Sequence, residues 1–505
     1  MGQSQRPRKA TADDSIRHAP ERFLSGPNVL FAASEMAPLI KTGGLADVAG
    51  SLGAALQDLG CNVRVVLPYY GALADLTPTP RSIARTRLHE RDIEIFETIA
   101  PQGQRVWLVA CPDLFGRRGN PYLDPEGRDW PDNADRFALF CRAIVWLATE
   151  QIVADFHVDI VHLNDWPTGL AAPLLKREPH APPTLFSIHN LAYQGNYDRA
   201  TFERLGLPGE LWSIDALEFH GSMSFIKGGI AFADRITTVS PTYAAEIQTP
   251  EYGNGLDGLI RHRSPLLRGI TNGIDTTVWN PTTDPLLRAR YTPTQLERKL
   301  INKRAVQALL GLDPADVPLL GVVSRLAHQK GIDLIVALVD ALVSLPAQLA
   351  VLGTGDATLE QALRTASSAY PGRVAYAARL DESMAHLIEA GADIFLMPSR
   401  FEPCGLNQMY SQVYGTVPVV RKTGGLVDTV RPVAGRTGTG FMFGPATPAA
   451  LLEAIKNAVA ASRNRHTWQA IQRNGMAQDF SWRRSAARYV DVYRELLSTT
   501  SGRAQ

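Results

Sequence analysis

Two eight-residue segments of this chain are almost identical, and each lies between a β-type run and a helix-type run. Residues 41–48 read KTGGLADV and residues 422–429 read KTGGLVDT, so that six of the eight positions match. A strand that turns into a helix through adjacent glycines is typical of a βα unit. With one copy in each half of a 505-residue chain, which is too long for one ordinary core, the repeat predicts two α/β domains.

The paired glycines also predict a ligand. Adjacent glycines at a helix start let a ligand approach the backbone closely, and they leave unpaired N–H groups and the positive end of the helix dipole aimed at it. A phosphate is the ligand that we expect at Gly43-Gly44 and at Gly424-Gly425. For either copy alone, a tight turn that needs glycine for a positive φ is an equal alternative. The presence of two copies favours the ligand site.

Short apolar runs separated by helix-length segments recur along both halves of the chain. They predict strands at residues 28–34, 62–67, 159–163, 184–188 and 235–239, and again at 319–324, 349–352, 373–377, 393–397 and 417–420. Repeated strand–helix–strand order indicates parallel sheets covered by helices on both faces. The fold class is therefore α/β. We predict a loose tail over residues 1–26, domains over 27–268 and 269–480, and a terminal helix over 481–505.

Composition excludes several classes of protein. The chain has 51 basic and 50 acidic residues, a net charge of +1, so no large positive field is available for nucleic acid. The most apolar window, residues 334–352, is interrupted by polar residues and proline, so no membrane span is predicted. Four cysteines without a C-x-x-C pair fit a reducing compartment better than a disulfide framework or a zinc site. We expect a cytoplasmic protein.

Two cations follow the first strand of the second half. Arg325 and Lys330 lie in the segment SRLAHQKG, where that strand ends, and ligands of open α/β sheets bind at the carboxyl ends of the strands. A planar guanidinium and a mobile ammonium suit a diphosphate whose charge grows as it leaves. The alternative is a pair of exposed loop cations without a partner.

A carboxylate follows another strand of the second half. Glu402 lies in the segment PSRFEPCGL, after the buried run 393–397, and Pro403 keeps it out of the helical conformation. Such a carboxylate is well placed to accept hydrogen bonds from sugar hydroxyls or to stabilise positive charge at an anomeric carbon. The alternative is an interaction with the N-terminus of the helix that follows.

Polar residues also follow two strands of the first half. Asn164-Asp165-Trp166 comes after one strand and His189-Asn190 after another. Tryptophan is a common surface for the apolar face of a sugar, while Asp, Asn and His supply directional hydrogen bonds. A single buried histidine is more often structural than catalytic. The convergence of these groups is what favours a binding site.

Five ordered motifs resemble one enzyme family. KTGGL at 41–45, HNLAYQG at 189–195, TNGID at 271–275, FEPCGL at 401–406 and TGGL at 423–426 are similar to motifs of bacterial glycogen synthases and plant starch synthases, over roughly residues 28–495. The resemblance implies the GT-B fold, two Rossmann-like domains facing across a deep cleft, with the terminal helix returning to the N-terminal domain. It also implies transfer of glucose from ADP-glucose to the non-reducing-end 4-hydroxyl of glycogen or another α-1,4-glucan, with retention and without a metal or other cofactor.

The resemblance also assigns residues to roles. Arg325 and Lys330 fall on the diphosphate, and Glu402 and His189 fall beside the donor glucose with Asp165; these five are the candidate catalytic residues. The remaining substrate-binding candidates are Lys41, Gly43, Gly44, Asp47, Asn190, Asn272, Cys404, Gly405, Leu406, Thr423, Gly424 and Gly425. The chain departs from the family at Pro167, where histidine is common, and at Leu380, where many members place an aromatic residue against the adenine.

Several alternatives stay open on the sequence. Retention of the anomeric configuration can follow a front-face route, in which the departing diphosphate helps to deprotonate the acceptor hydroxyl. It can also follow a covalent route, in which Asp165 or Glu402 is the nucleophile. The donor can be UDP-glucose in another GT-B transferase. A glucan phosphorylase shares the architecture but needs pyridoxal phosphate, and no segment resembles its cofactor lysine. A non-catalytic glucan-binding protein would keep aromatic surfaces and lose the cations.

Overall fold

A computed structural model describes residues 26–76 and 78–501 of the chain. The loose tail expected over residues 1–26 lies outside the described residues, except for Gly26. The described residues form an α/β structure with two separate parallel sheets, which confirms the predicted fold class. No helix among them is both long enough and apolar enough to span a bilayer.

The strands are numbered in chain order. They are β1 Asn28–Ala32, β2 Asn62–Pro68, β3 Arg81–Leu88, β4 Arg91–Ile99, β5 Arg105–Ala110, β6 Ile160–Asn164, β7 Thr184–Ile188, β8 Asn196–Tyr197, β9 Glu218–Phe219, β10 Ser222–Ser224, β11 Arg235–Thr238, β12 Leu267–Gly269, β13 Leu319–Val323, β14 Gln348–Leu352, β15 Val374–Ala377, β16 Ile394–Met397, β17 Val417–Arg421 and β18 Phe441–Phe443.

The helices are numbered in the same way. They are α1 Gly44–Asp58, α2 Pro112–Phe115, α3 Asn133–Thr149, α4 Trp166–Gly169, α5 Ala171–Leu175, α6 Arg199–Arg204, α7 Phe225–Phe232, α8 Pro241–Glu246, α9 Asp257–His262, α10 Lys299–Leu310, α11 Ile332–Val336, α12 Val339–Val343, α13 Ala357–Ala369, α14 Glu382–Gly391, α15 Asn407–Val413, α16 Gly424–Thr429, α17 Pro448–Ser462, α18 Arg465–Met476 and α19 Trp482–Ser501.

The first sheet has nine strands in the order β12-β11-β7-β6-β1-β2-β5-β4-β3. Its strands are parallel except for β4, which pairs antiparallel with both β3 and β5. The five strands predicted in the first half are confirmed, whereas β3, β4, β5 and β12 were not predicted. β3 alternates between exposed and half-buried residues, so it carries no apolar run that sequence reasoning could recognise.

The second sheet has six parallel strands in the order β15-β14-β13-β16-β17-β18. The five predicted strands of the second half are confirmed, and the short edge strand β18 was missed. Successive residues of β13 alternate between two apolar clusters, because side chains of a strand point to opposite faces. Leu320 packs with Ile335 of α11 and Ile455 of α17. Leu319 packs on the other face with Val306 and Ile388.

Each sheet reverses its strand order at one point. The motifs predicted to be functional lie in the loops at these two points. In the first sheet the order reverses between β1 and β6, and in the second between β13 and β16. Ligands of open α/β sheets bind beyond the carboxyl ends of the strands at such a switch point. The carboxyl edges of the two sheets meet, because the Ser240 hydroxyl after β11 donates to the carbonyl of Pro403 after β16 at 2.6 Å.

The last helix, α19, packs against α1 and β6 of the first sheet. Tyr493 of α19 is fully buried, and its hydroxyl lies 2.8 Å from Nδ1 of His162 in β6. The crossover that follows β12 packs instead on the second sheet's helices, where Trp279 stacks between His386 and Tyr410 at ring separations of 3.7 and 3.8 Å. The domain limits at 268/269 and 480/481 stay predictions.

Candidate active site

Glu402 and Lys330 form an ion pair at the switch point of the second sheet. Glu402 follows β16, and Lys330 ends a short 3-10 turn after β13. The Lys330 ammonium donates to Oε2 of Glu402 at 2.6 Å, and the Ser399 hydroxyl donates to the same oxygen at 2.9 Å. Glu402 is 4% exposed, so the carboxylate is almost fully removed from water and is held by two donors.

The two loops that carry this pair are joined by further contacts. Arg400 makes two hydrogen bonds to the carboxylate of Asp333, at 2.7 and 2.6 Å. Gly331 has a φ of 67°, and a Cβ there would lie 2.2 Å from the carbonyl oxygen of Pro398. Only glycine allows this close approach, so the local sequence brings Lys330 to Glu402.

Arg325 lies in the same loop but is exposed. Its guanidinium makes no ion pair or hydrogen bond with any residue that the structure describes. The Arg325 guanidinium, in the same loop as Lys330, is therefore available to bind an anionic ligand. Leu380, beyond the carboxyl end of β15 at the same edge, is 84% exposed.

Asp165 occupies the switch point of the first sheet in a strained conformation. It follows β6 with a φ of 58°, which is uncommon for a residue with a side chain and is concentrated at functional sites. Its Oδ1 accepts the backbone N–H groups of His189 at 2.8 Å and of Asn190 at 3.4 Å. The carboxyl is buried, and burial together with the charge of Glu35 raises the pKa of Asp165 to about 7.

His189 stands beside Asp165 after β7. Its Nε2 lies 2.9 Å from Oδ1 of Asn164, whose amide donates to the carbonyl of Ala32. Because that amide oxygen can only accept, the ring proton belongs on Nε2 and the lone pair on Nδ1. Burial lowers the pKa of His189 to about 3, so the imidazole is neutral at physiological pH.

The first Gly-Gly helix start already holds a carboxylate of the protein. Oε2 of Glu35 accepts the N–H of Thr42 at 2.5 Å, the Thr42 hydroxyl at 2.6 Å and the N–H of Gly43 at 3.1 Å. Glu35, which is 3% exposed, therefore occupies two N–H groups at this helix start, and the phosphate expected here stays a prediction. Lys41 pairs with Asp47 at 2.7 Å and is itself half exposed, so it can still reach a ligand in the cleft.

The second Gly-Gly helix start holds a carboxylate from the other half of the chain. Oε1 of Glu246 accepts the Thr423 hydroxyl at 3.0 Å and the N–H of Gly424 at 2.9 Å. Gly425 donates to the carbonyl oxygens of Glu402 and Pro403. The two predicted phosphate sites stay predictions, and a phosphate at either helix start could not use the donors that these bonds occupy. An internal carboxylate satisfies the same backbone groups that an anion would bind.

The remaining candidates lie around the Glu402 loop. Cys404 is buried, which raises the pKa of its thiol to about 12, and the Asn272 backbone donates a hydrogen bond to it. Oδ1 of Asn272 is buried and has no hydrogen-bond partner among the residues that the structure describes. Gly405 has a φ of 71°, and Leu406 beside it is half-buried. Within the described ranges no group of His, Cys, Asp or Glu side chains is arranged to hold a metal ion.

Comparison with known proteins identifies the family of this chain. A family model described as the starch synthase catalytic domain matches residues 28–262, and one described as glycosyl transferases group 1 matches residues 312–474. Glycogen synthase 1 of Methylococcus capsulatus is 53% identical over 93% of this chain and 97% of its own. Glycogen synthase of Thioalkalivibrio sulfidiphilus is 50% identical over 93% of this chain and 100% of its own. The chain belongs to the glycogen synthase and starch synthase family.

Solved structures give the same family and the fold. The catalytic domain of starch synthase IV from Arabidopsis thaliana, bound to ADP and acarbose, matches with a TM-score of 0.85 and 32% identity over 94% of this chain and 100% of that one. Sucrose-phosphate synthase from Thermosynechococcus elongatus matches with a TM-score of 0.60 at 19% identity and shares the fold. Membership of the glycogen synthase and starch synthase family makes this chain a glycosyltransferase with the GT-B fold.

Sequence reasoning missed three residues around this site: Glu35, Ser399 and Glu246. Glu35 had a signal, because it is the first residue after the predicted strand 28–34, as Asp165 is after β6. Tyr122 lies 2.7 Å from the Ser34 hydroxyl and 3.4 Å from Glu35. Glu246 had no signal, because its partners lie far away along the chain.

Asp165→Asn is expected to stabilise the protein above neutral pH. The raised pKa means that folded Asp165 holds its proton up to about pH 7, whereas the unfolded carboxyl loses it near pH 4. Wild-type stability therefore falls between about pH 4 and pH 7, and asparagine, which keeps the acceptor oxygen, removes this loss. The Tm difference from wild type should grow from pH 5 to pH 8 by the equivalent of about 2 to 3 kcal/mol. Thermal melts at both pH values measure it.

The control for this prediction is Asp491→Asn, on an exposed part of α19. It removes a carboxylate that is already hydrated, so its melting temperature should follow wild type at both pH values. If the Tm difference between Asp165→Asn and wild type were the same at pH 5 and pH 8, it would contradict the ionisation of Asp165 in its buried position.

Proposed function

We propose that this protein is a glycogen synthase that transfers glucose from ADP-glucose to the non-reducing-end 4-hydroxyl of an α-1,4-glucan, with retention. One observation carries the proposal: Lys330, Glu402 and the unpaired Arg325 share one switch point, and Asp165 and His189 share the other. The Ser240 hydroxyl after β11 donates to the carbonyl of Pro403, next to Glu402, and this contact supports one site shared by the two sets. Family membership supports the reaction class.

The two cations and the carboxylate of the second half act on different parts of the donor. Arg325 and Lys330 neutralise the diphosphate as its bond to the anomeric carbon breaks. The Glu402 carboxylate, almost fully buried and 2.6 Å from the Lys330 ammonium, stabilises the positive charge that develops on the sugar ring. Because these groups are fixed before the substrate arrives, little reorganisation is needed in the transition state.

The first-sheet groups hold the donor glucose and the acceptor. Neutral His189 and the backbone around Asp165 offer directional hydrogen bonds to sugar hydroxyls. Two backbone N–H groups hold Oδ1 of Asp165, which weakens this oxygen as a nucleophile. We therefore favour the front-face route, in which the departing phosphate oxygen takes the proton of the acceptor hydroxyl while the new glycosidic bond forms on the same face.

ADP-glucose is preferred over UDP-glucose in this proposal because the Arabidopsis relative was solved with ADP. We place the adenine against the exposed Leu380, where an aliphatic side chain covers the apolar face of a base. We also infer a cytoplasmic location, since all four cysteines are buried free thiols, which suits a reducing compartment.

An activity assay with defined donors tests the proposal. Purified protein is incubated with glycogen and either ADP-glucose or UDP-glucose, and nucleotide release is followed, with proton NMR of the product to establish the anomeric configuration. ADP release that depends on glycogen, exceeds UDP release and yields an α-linkage is expected. Faster release from UDP-glucose would contradict the donor assignment. Phosphate-dependent release of glucose 1-phosphate from glycogen would instead identify a phosphorylase.

A further inference from the structure

We propose that Glu246 is a positioning residue for Glu402, through which the first domain sets the place of a carboxylate carried by the second. The inference rests on the proposed function, because that function assigns Glu402 to the donor glucose. Glu246 ends α8, which follows the first sheet's strand β11. Two successive contacts lead from it to the backbone of Glu402, and a third joins the start of the same helix to Pro403.

The first contact is between Glu246 and the turn that opens α16. Its Oε1 accepts the Thr423 hydroxyl at 3.0 Å and the Gly424 N–H at 2.9 Å. Its other oxygen, Oε2, is buried and has no hydrogen-bond partner among the described residues. A buried carboxylate oxygen without a partner costs folding free energy, so this residue is not explained by stability alone.

The second contact is between that turn and Glu402. The N–H of Gly425 lies 3.1 Å from the carbonyl oxygen of Glu402 and 3.2 Å from that of Pro403. Gly424 has a φ of 44°, and a Cβ there would lie 1.9 Å from the Glu402 carbonyl oxygen. The two backbones are in direct contact, so a displacement of the Thr423–Gly425 turn displaces Glu402.

The third contact reaches the same loop from the start of α8. The Ser240 hydroxyl, which also caps α8, donates to the carbonyl oxygen of Pro403 at 2.6 Å in a buried position. Both ends of α8 therefore hold the Glu402–Pro403 backbone, one directly and one through Gly425. A rigid two-ended support is the arrangement expected where a reacting group must be held within a fraction of an ångström.

The same pair of helices supplies a matched control. Asp428 of α16 accepts the N–H of Thr242 at 2.9 Å and its hydroxyl at 2.8 Å. Glu246 and Asp428 thus each accept one backbone N–H and one threonine hydroxyl across the same contact between α8 and α16. The turn that Glu246 holds is hydrogen-bonded to the Glu402 and Pro403 backbone, whereas no bond in the described structure joins Thr242, which Asp428 holds, to either residue. A general role in docking the domains would make the two carboxylates equivalent.

The experiment compares Glu246→Ala, Glu246→Gln and Asp428→Ala with wild type in the full chain. With ADP-glucose and glycogen, we expect Glu246→Ala to lower kcat about 10- to 100-fold while KM for the donor changes less than about threefold. Glutamine keeps the acceptor oxygen, so Glu246→Gln should retain kcat within about threefold of wild type. Asp428→Ala should stay close to wild type.

Amide hydrogen exchange of the same proteins gives a readout that does not need activity. The segment 402–405 and the Gly425 amide should exchange about tenfold faster in Glu246→Ala and at the wild-type rate in Asp428→Ala. If Glu246→Ala does not fold, Glu246→Asp, which withdraws the carboxylate by one methylene, should show a smaller change in the same direction.

Two results would overturn the inference. Equal losses in Glu246→Ala and Asp428→Ala would reduce Glu246 to one of two docking contacts, and unchanged exchange at 402–405 in Glu246→Ala would break the link to Glu402. A wild-type protein that releases no nucleotide would overturn the proposed function instead, and the exchange data would still decide whether Glu246 holds the Glu402 loop.

Discussion

Glu402→Gln is expected to lower kcat about 10²- to 10³-fold with little change in donor affinity. Glutamine has the same shape and keeps an oxygen that can accept from the Lys330 ammonium and the Ser399 hydroxyl, now at 2.6 and 2.9 Å from Glu402. What it loses is the negative charge, which the proposed mechanism uses only when the anomeric carbon becomes positive. The loss should therefore fall on the transition state and not on the ground state.

The measurement needs both a rate and an affinity. Turnover is followed with saturating ADP-glucose and glycogen, and ADP binding is measured separately by calorimetry. Glu203→Gln is the control, because Glu203 forms an exposed ion pair with Arg199 in α6 and should leave both values unchanged. Weaker donor binding at an unchanged kcat would reduce Glu402 to a residue that positions the sugar.

Lys330→Ala is expected to lower turnover about 10²-fold or more and also to destabilise the fold. The ammonium is the only cation within 4.0 Å of Glu402 among the described residues, and Glu402 is 4% exposed. Removing one member of such a pair leaves a buried carboxylate that only the Ser399 hydroxyl still satisfies. Because the Lys330 side chain is 21% exposed, we expect a loss of about 2 kcal/mol, below the cost for a fully buried pair.

Two companion variants separate the catalytic loss from the structural one. Arg325→Ala removes an exposed cation without an ion pair from the same loop, so turnover should fall about 10²-fold at an unchanged Tm. Lys330→Ala combined with Glu402→Gln removes the unpaired charge, so its Tm should recover while turnover stays low. Kinetics with saturating donor and thermal melts of the four proteins test this. Near-wild-type turnover in either single variant would contradict its assignment to the diphosphate.

The sequence alone was sufficient for the features that depend on neighbours along the chain. Ten strands were predicted from short apolar runs, because a strand of a parallel sheet is buried on both faces and its residues are apolar whatever lies beside it. Glu402, Lys330, Asp165 and His189 were found for a related reason. Each comes shortly after such a run, and the carboxyl ends of parallel strands share one edge.

The tertiary structure decided what occupies the groups that the motifs present. The repeat KTGGL indicated that each helix start offers N–H groups to an anion, and at both starts a carboxylate of the protein accepts from such a group. It could not show that the carboxylates are Glu35 and Glu246, and Glu246 lies 178 residues from Gly424 along the chain. Likewise, Arg325 and Lys330 are equivalent cations in sequence, and only folding pairs one with Glu402 and leaves the other exposed. The local sequence determines which N–H groups and charged side chains a βα turn presents. The partner of each group is set by the distant loop that packs against the turn, and the position of that loop depends on the fold of the whole chain.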